Sequence, residues 1–234
     1  MKFEKLASTV LFYILIFSIF VSATYLLSET TSVVAEMIPV EREQTIVIDA
    51  GHGGEDGGAT SCTGVLESAF NLEIALKLND LMHLLGYDTV MVRTTDRAVY
   101  TEGETIAQKK VSDLKQRVKL VKETENAILV SIHQNTFSDS RYSGAQVFYS
   151  SAGDSRELAM ELQDTFCKIL NPGSSRKSKP SSGVYLMQHI ECTGILVECG
   201  FLSNPEEEAK LRDASYQKKL CCVIASSDGN FLDR

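Results

Sequence analysis

Short apolar runs alternate with amphipathic stretches along most of the chain. Each run is rich in β-branched residues and bounded by turn residues, which is typical of buried strands. The pattern predicts strands over Thr45–Ala50, Tyr87–Arg93, Ala127–His133, Gly144–Ser150 and Gly194–Phe201. It predicts helices over Ser68–Gly86, Val111–Glu125, Ser155–Leu170, a stretch capped by Asn204, and about Tyr216–Ala225. This alternation predicts the fold class α/β: a single three-layer domain with a central, mainly parallel sheet flanked by helices.

The N-terminal end differs from the rest of the chain. Residues 6–28 contain no charged side chain, and as a helix they are long enough to span the ~30 Å hydrocarbon core of a bilayer. Two lysines precede the run, which places the N-terminus in the cytoplasm and the remaining chain outside. We predict a signal-anchor or transmembrane segment over 1–28, a tether over 29–44 and an extracytoplasmic functional domain over 45–234. The alternative is a cleaved signal peptide, which predicts a secreted protein.

The composition indicates an ordinary globular protein and disfavours nucleic-acid binding. The 234 residues are 44% hydrophobic and 23% charged, with a net charge of -8. An acidic chain lacks the positive charge that phosphate backbones attract, so we exclude nucleic acid as a main partner. The six cysteines include no C-x-x-C pair, which argues against a structural zinc knuckle. We interpret them as small buried apolar residues, and one disulfide among them stays open.

Residues able to do chemistry lie at the ends of three predicted strands. His52 closely follows the first strand, His133 ends the third, and Glu198 lies in the last. Because the carboxyl ends of parallel strands meet at one edge of a sheet, we expect these side chains to lie together. Glu67 stands at the start of the first helix of this domain, directly after a glycine-rich loop. That loop contains Gly51, Gly53, Gly54, Gly57 and Gly58.

These side chains form the ligand set of a hydrolytic metal site. A catalytic zinc ion takes three protein ligands and keeps a fourth position for water. His52, Glu67 and His133 supply two imidazoles and a carboxylate, so we predict that they bind Zn²⁺. Glu198 lies in a buried apolar strand, where a bare charge is costly, and we predict that it is the catalytic base. Structural roles stay open as alternatives. His52 and His133 could be core or capping histidines, and Glu67 could be a simple charge at a helix start.

The glycine-rich loop fits neither common phosphate-binding pattern. A dinucleotide fingerprint starting at Gly51 needs a further glycine where the chain has Asp56. A P-loop needs G-K-[ST], which the chain lacks. We infer that the glycines let the backbone turn sharply beside His52 and leave room for metal and substrate.

Four motifs in register resemble a known family. They are IVIDAGHGGEDGGA, ESAFNLEIA, VSIHQN and ILVECGFLSN. In this order they resemble the zinc-dependent N-acetylmuramoyl-L-alanine amidases (Amidase_3 type) of bacterial cell walls, over about residues 45–231. The resemblance implies zinc as cofactor, peptidoglycan as substrate, His52, Glu67 and His133 as zinc ligands, and Glu198 as catalytic base. The bond that such enzymes cut is the amide between the lactyl group of muramic acid and L-alanine.

The resemblance also implies a biological setting. A membrane-tethered, minimal catalytic domain with SIHQN is similar to the sporulation branch, where peptide removal leads to muramic δ-lactam in the spore cortex. Since no targeting module is recognised, we expect an accessory protein partner. Members often carry a basic residue where this chain has Ser68, which indicates a changed substrate contact. We predict further substrate contacts for Asn135 and Arg93. The basic loop Arg176–Lys179 is interpreted as solvated, with contact to stem-peptide carboxylates as the alternative.

Two other functions are compatible with the same residues. A zinc peptidase or carboxypeptidase uses a similar set of ligands and a free glutamate. A catalytically silent binding protein on an amidase fold is the second. The intact ligand set and Glu198 favour an active enzyme, because silent copies commonly lose a ligand.

Overall fold

The computed structural model describes residues 13–25 and 43–232, and the chain divides into two units, Met1–Glu41 and Arg42–Arg234. In the first unit, residues 13–25 form a helix, α1, with exposed side chains. No helix among the described residues is both long and apolar enough to cross a membrane. The predicted anchor segment extends past 13–25 on both sides, and most of the predicted tether lies outside the described residues. Anchor and tether therefore stay predictions.

The second unit is built on one six-stranded sheet with the order β2-β1-β3-β6-β4-β5. The strands are β1 Thr45–Ala50, β2 Asp88–Met91, β3 Ala127–Asn135, β4 Gln146–Tyr149, β5 Lys179–Pro180 and β6 Gly194–Phe201. Neighbouring strands run parallel except β4 and β6, which are antiparallel. The predicted α/β class with a mainly parallel sheet is confirmed.

Helices cover both faces of this sheet. They are α2 Glu67–Leu84, α3 Ile106–Glu123, α4 Ser155–Ile169, α5 Tyr185–His189, α6 Pro205–Arg212 and α7 Ala214–Leu232. On one face, α2, α4 and α7 pack around Ile46, Ile48 and Ile132. On the other face, α3 and α5 pack around Val47 and Leu129. Neighbouring strand residues enter opposite layers because side chains alternate across a strand.

The start of α3 differs from the prediction. The helix begins at Ile106 and not at Val111, and Thr105 caps it. The Thr105 hydroxyl accepts a hydrogen bond from the Gln108 N–H, and the Gln108 side chain accepts one from the Thr105 N–H. The first turn is exposed to solvent, including Ile106, so the buried apolar period starts only later. The short elements β5 and α5 were not predicted, because two and five residues carry no period.

The six cysteines are free thiols in the described structure. Their interpretation as buried apolar residues is correct for Cys199 and Cys221, and burial raises the pKa of both thiols. It is wrong for Cys62 and Cys222, which are exposed.

Candidate active site

The carboxyl edge of the sheet brings the predicted metal ligands together. His133 lies near the end of β3, Glu67 opens α2, and His52 follows β1 in the connecting loop. One ligand atom from each of the three residues lies within 4.8 Å of the other two. Glu198 of β6 is paired in register with His133 of β3, so its side chain leaves the same face of the sheet. The four residues predicted from separate motifs therefore form one site.

The Glu67 carboxylate is the centre of the cluster. Its Oε1 lies 3.0 Å from Nδ1 of His133, and its Oε2 lies 3.4 Å from Nε2 of His52. The backbone N–H groups of Ala59 and Gln134 also donate to it, at 2.9 and 3.1 Å. Burial opposes ionisation, but the bonds from His133 and His52 outweigh it and hold the pKa of Glu67 far below its usual range. Glu67 is therefore an ionised, fully oriented carboxylate.

His52 is held in an unusual backbone conformation. Its φ is 61°, in the left-handed region that costs a non-glycine residue about 1–2 kcal/mol. Nδ1 lies 3.1 Å from Oδ2 of Asp56, which leaves Nε2 facing Glu67. Burial opposes protonation, but the hydrogen bond to Glu67 outweighs it and raises the pKa of His52. A carboxylate behind a ligating imidazole fixes the ring and its tautomer, as in many metal sites.

Asp56 is a functional residue that the sequence analysis missed. It served only to exclude a dinucleotide fingerprint, although its side chain orients His52 and also pairs with Lys110 at 3.2 Å. The one available signal was an acidic residue four positions after a predicted ligand.

Two loop glycines are required by the packing of the ligands. A Cβ at Gly51 would overlap the Nε2 and Cε1 atoms of the His133 ring. A Cβ at Gly58 would lie 2.6 Å from Oε2 of Glu67 and 2.7 Å from Cδ2 of His52, at a φ of +67°. The prediction that glycines leave room beside His52 therefore applies most directly to these two positions.

The Arg93 side chain forms hydrogen bonds with the backbone where the glycine-rich loop begins. The side chain is 1% exposed. Its Nε donates to the carbonyl of Ala50 at 2.8 Å, and its Nη2 donates to those of Gly51 at 3.0 Å and Ser68 at 2.9 Å. Burial lowers the pKa of this guanidinium, and Arg117 lowers it further. The predicted substrate contact for Arg93 does not fit this placement, because the guanidinium is buried and already donates to backbone carbonyls. Arg93 positions the loop instead.

Arg117 holds the same loop from α3. It is 3% exposed, forms an ion pair with Asp49 and another with Asp113, and donates to the carbonyl of His52 at 2.8 Å. Burial opposes the charge of Arg117, but the two aspartates outweigh it and raise its pKa. In the same way Arg117 outweighs burial and lowers the pKa of Asp49. Two buried arginines thus fix the backbone that carries His52.

Replacing Arg117 with methionine is expected to destabilise the protein strongly. The change leaves the Asp49 carboxylate buried without its partner, which costs about 3–5 kcal/mol of unfolding free energy near pH 7. Because Arg117 lowers the native pKa of Asp49 below the unfolded value, its stabilisation is complete above that value and fades as the pH falls. Urea unfolding at neutral pH and about pH 4 measures both effects. The double variant Asp49→Asn/Arg117→Met should recover much of the loss, and a cost below about 1 kcal/mol would contradict the assignment.

Glu198 has the properties of a general base. Its Oε2 is buried and has no hydrogen-bond partner among the described residues. Burial raises the pKa of Glu198 to about 7, His133 opposes that shift, and the charge of Glu67 adds to it. An unpaired carboxylate beside a ligand cluster is poised to exchange a proton near neutral pH.

One predicted substrate contact remains. Asn135 ends β3 half-buried, two residues beyond His133, and its carbonyl accepts a hydrogen bond from Leu202 at 2.8 Å. Its substrate contact stays a prediction. His83 and His189 are exposed and do not belong to the ligand cluster.

The donor set fits a zinc ion. Nε2 of His52 and Nδ1 of His133 each face an oxygen of the Glu67 carboxylate, and this His₂Glu set is one that catalytic zinc uses. Asp56 supplies the outer support that ligating imidazoles usually have. The unpartnered Oε2 of Glu198 leaves a group free for proton transfer beside the ligands.

The rate of hydrolysis is expected to decrease as the pH drops below neutrality. A protonated Glu198 cannot accept a proton, so kcat/KM should decrease about tenfold per pH unit below its pKa. Burial sets that pKa at about 7, and a bound dication lowers it, so we expect a midpoint at or below this value. A pH–rate profile with metal content checked at each pH measures it. Activity that rises from about pH 8 towards pH 5 would contradict this role.

Comparison with known proteins identifies the family. Residues 46–227 match Amidase_3, N-acetylmuramoyl-L-alanine amidase. The germination-specific N-acetylmuramoyl-L-alanine amidase of Bacillus subtilis (strain 168) is 38% identical over 181 residues, 76% of each chain. The CwlD amidase from Clostridioides difficile, solved in complex with the GerS lipoprotein, is 36% identical with a TM-score of 0.78, over 81% of this chain and 98% of that one. An N-acetylmuramoyl-L-alanine amidase from Clostridium difficile 630 is 29% identical with a TM-score of 0.70, over 82% and 98%. The family predicted from four motifs is confirmed: the chain belongs to the N-acetylmuramoyl-L-alanine amidases and is a peptidoglycan-hydrolysing enzyme of that family.

Proposed function

We propose that the chain uses a zinc ion held by His52, Glu67 and His133 to hydrolyse the amide between N-acetylmuramic acid and L-alanine, with Glu198 as general base. The observation that carries this proposal is the convergence of the three ligand atoms within 4.8 Å, beside a buried and unpartnered Glu198 oxygen. The match of residues 46–227 to the amidase family supplies the bond that is cut.

Proton transfer is the task of Glu198. Zinc, when bound, supplies Lewis acidity that polarises the amide carbonyl and acidifies water. Glu198 accepts the proton of the attacking water as the new C–O bond forms. It then gives the proton to the alanine nitrogen as the C–N bond breaks, so that the products are a lactyl carboxylate and a free stem peptide. A pKa of about 7 suits both steps, because the group gains and loses a proton at little cost.

We place this activity in spore cortex maturation, at the outer side of the cytoplasmic membrane. The support is the similarity to an amidase named as germination-specific and to the CwlD amidase. In this role the removal of stem peptides prepares muramic acid for δ-lactam formation. The N-terminal apolar segment is the proposed membrane anchor. Loss of muramic δ-lactam from spores that lack the protein, restored by wild type and not by Glu198→Gln, would test this setting.

An accessory lipoprotein is the proposed partner. The solved CwlD amidase is in complex with the GerS lipoprotein, and it matches 81% of this chain. A pulldown from sporulating cells should therefore recover a lipoprotein together with the chain. Recovery of the amidase alone, under conditions in which it is active, would contradict the partner.

Product analysis tests the reaction itself. The purified chain, loaded with zinc, is incubated with denuded peptidoglycan, and the released fragments are resolved by mass spectrometry. An amidase releases stem peptides that begin with L-alanine and leaves free lactyl groups on the glycan. Release of single terminal amino acids would indicate a carboxypeptidase. Binding without any release, with or without the lipoprotein, would indicate a silent amidase fold.

A further inference from the structure

We propose that Arg176 forms a carboxylate-binding subsite at the edge of the active site, and that its ligand is a carboxylate of the stem peptide. This inference rests on the proposed function, since it requires a stem peptide bound beside Glu198. It assigns a specific role to one residue of the basic loop that the sequence analysis interpreted as solvated.

The guanidinium of Arg176 is held in place by three contacts. Its Nη2 donates to the carbonyl of Ser143 at 2.8 Å, and its Nη1 lies 3.5 Å from Oε1 of Gln146. Its central carbon lies 5.4 Å from the ring centroid of Phe201, which is a cation–π distance. Arg176 is half-buried, whereas Lys177 and Lys179 of the same loop are exposed. The loop therefore contains one ordered cation among solvated ones.

No carboxylate neutralises Arg176 within the part of the chain that the structure describes. Its neighbours differ: Lys177 pairs with Asp164 at 3.4 Å, and Arg141 pairs with Asp139 at 2.7 Å. A guanidinium presents five donors in a planar fork that matches a carboxylate. Arg176 uses the fork only in part, on a neutral carbonyl and a neutral amide. An ordered fork without a counter-ion is suited to an anionic ligand.

Two residues that contact Arg176 are close to Glu198 in the sheet. Gln146 of β4 is directly opposite Glu198 of β6, and opposed residues of an antiparallel pair have their Cα atoms about 5 Å apart. Phe201 ends the same strand as Glu198. An extended peptide advances about 3.5 Å per residue, so a carboxylate on the second or third stem residue lies roughly 7–10 Å from the scissile bond. Through its contact with Gln146, Arg176 lies one strand away from Glu198, and we infer that a stem carboxylate can reach it.

Two substrates that differ only in charge test this subsite. One muropeptide carries a free carboxylate on the residue after L-alanine, and the other carries the amide. We expect wild type to prefer the free acid and Arg176→Gln to lose that preference. The loss should appear as a KM about ten- to hundredfold higher for the free acid, with kcat nearly unchanged. The matched control is Lys177→Gln, which removes one charge from the same loop and should change KM by less than about twofold.

Binding to an inactive protein gives a readout without catalysis. In a Glu198→Gln background, the free-acid stem should bind more tightly than the amide, and Arg176→Lys should remove most of that difference because the fork is lost. Equal losses on both substrates, or an Arg176→Gln that behaves like Lys177→Gln, would overturn the subsite. Failure of wild type to cut either substrate would instead contradict the proposed function.

Discussion

Replacing Glu198 with glutamine is expected to lower amide hydrolysis by about 10²–10⁴-fold without loss of zinc. Glutamine keeps the size and shape of the side chain but cannot accept a proton from water. The buried Oε2 of Glu198 has no hydrogen-bond partner among the described residues, so the neutral side chain leaves no broken contact behind. Since burial raises the pKa of the native carboxyl to about 7, a neutral substitute should leave stability unchanged or slightly improved.

The measurement is kcat/KM on muropeptides together with zinc content and thermal unfolding. Glu161→Gln on α4 is the matched control, because it makes the same chemical change away from the ligand cluster. It should keep full activity. A Glu198→Gln enzyme that retains more than about a tenth of the native rate would show that another group moves the proton.

Replacing Gly51 with alanine is expected to reduce zinc affinity and activity by about 100-fold or more. The added methyl group would overlap the imidazole ring of His133, and the ring would have to leave its position beside Glu67. The backbone at Gly51 is not left-handed, so the effect comes from the ring contact and not from strain in φ. Losing the geometry of one ligand is at least as costly as losing its outer support, which typically costs 10–100-fold.

Chelator competition measures zinc affinity for this variant. Gly64→Ala is the control in the same connection between β1 and α2: its φ is +91°, and an added Cβ would meet no heavy atom within 4 Å. It should cost about 1 kcal/mol of stability from backbone strain and leave zinc affinity unchanged. An unchanged zinc affinity in Gly51→Ala would show that zinc binding does not depend on the observed position of the His133 ring.

The elements that sequence predicted best are the buried strands of the centre. The bounds of β1 and β6 agree with the prediction, because short apolar runs next to glycine have few alternatives. The exposed first turn of α3 was missed, since its start depends on the cap at Thr105 and not on a buried apolar period. The antiparallel direction of β4 was not specified either, because direction depends on the path of the connecting segments.

The site residues could be predicted from their local sequence, but the residues that hold them in position could not. His52, Glu67 and His133 each stand near a strand end or a helix start, where chemistry is common, and Glu198 is a charged residue within a buried apolar strand. The supporting bonds join residues far apart in sequence. Arg117 follows the pattern of a charged helix face, yet it is buried and bonds to the carbonyl of His52, 65 positions away. Such a contact appears only after the sheet and α3 are packed.

Stepwise return of zinc to the metal-free protein is the sharpest test of the proposed metal site. We expect muropeptide cleavage to rise in proportion to added zinc and to level off at one equivalent per chain, with no comparable binding in His133→Ala. Full cleavage by the metal-free protein, or tight binding of one zinc by His133→Ala, would contradict the assignment of His52, Glu67 and His133 as the catalytic metal site.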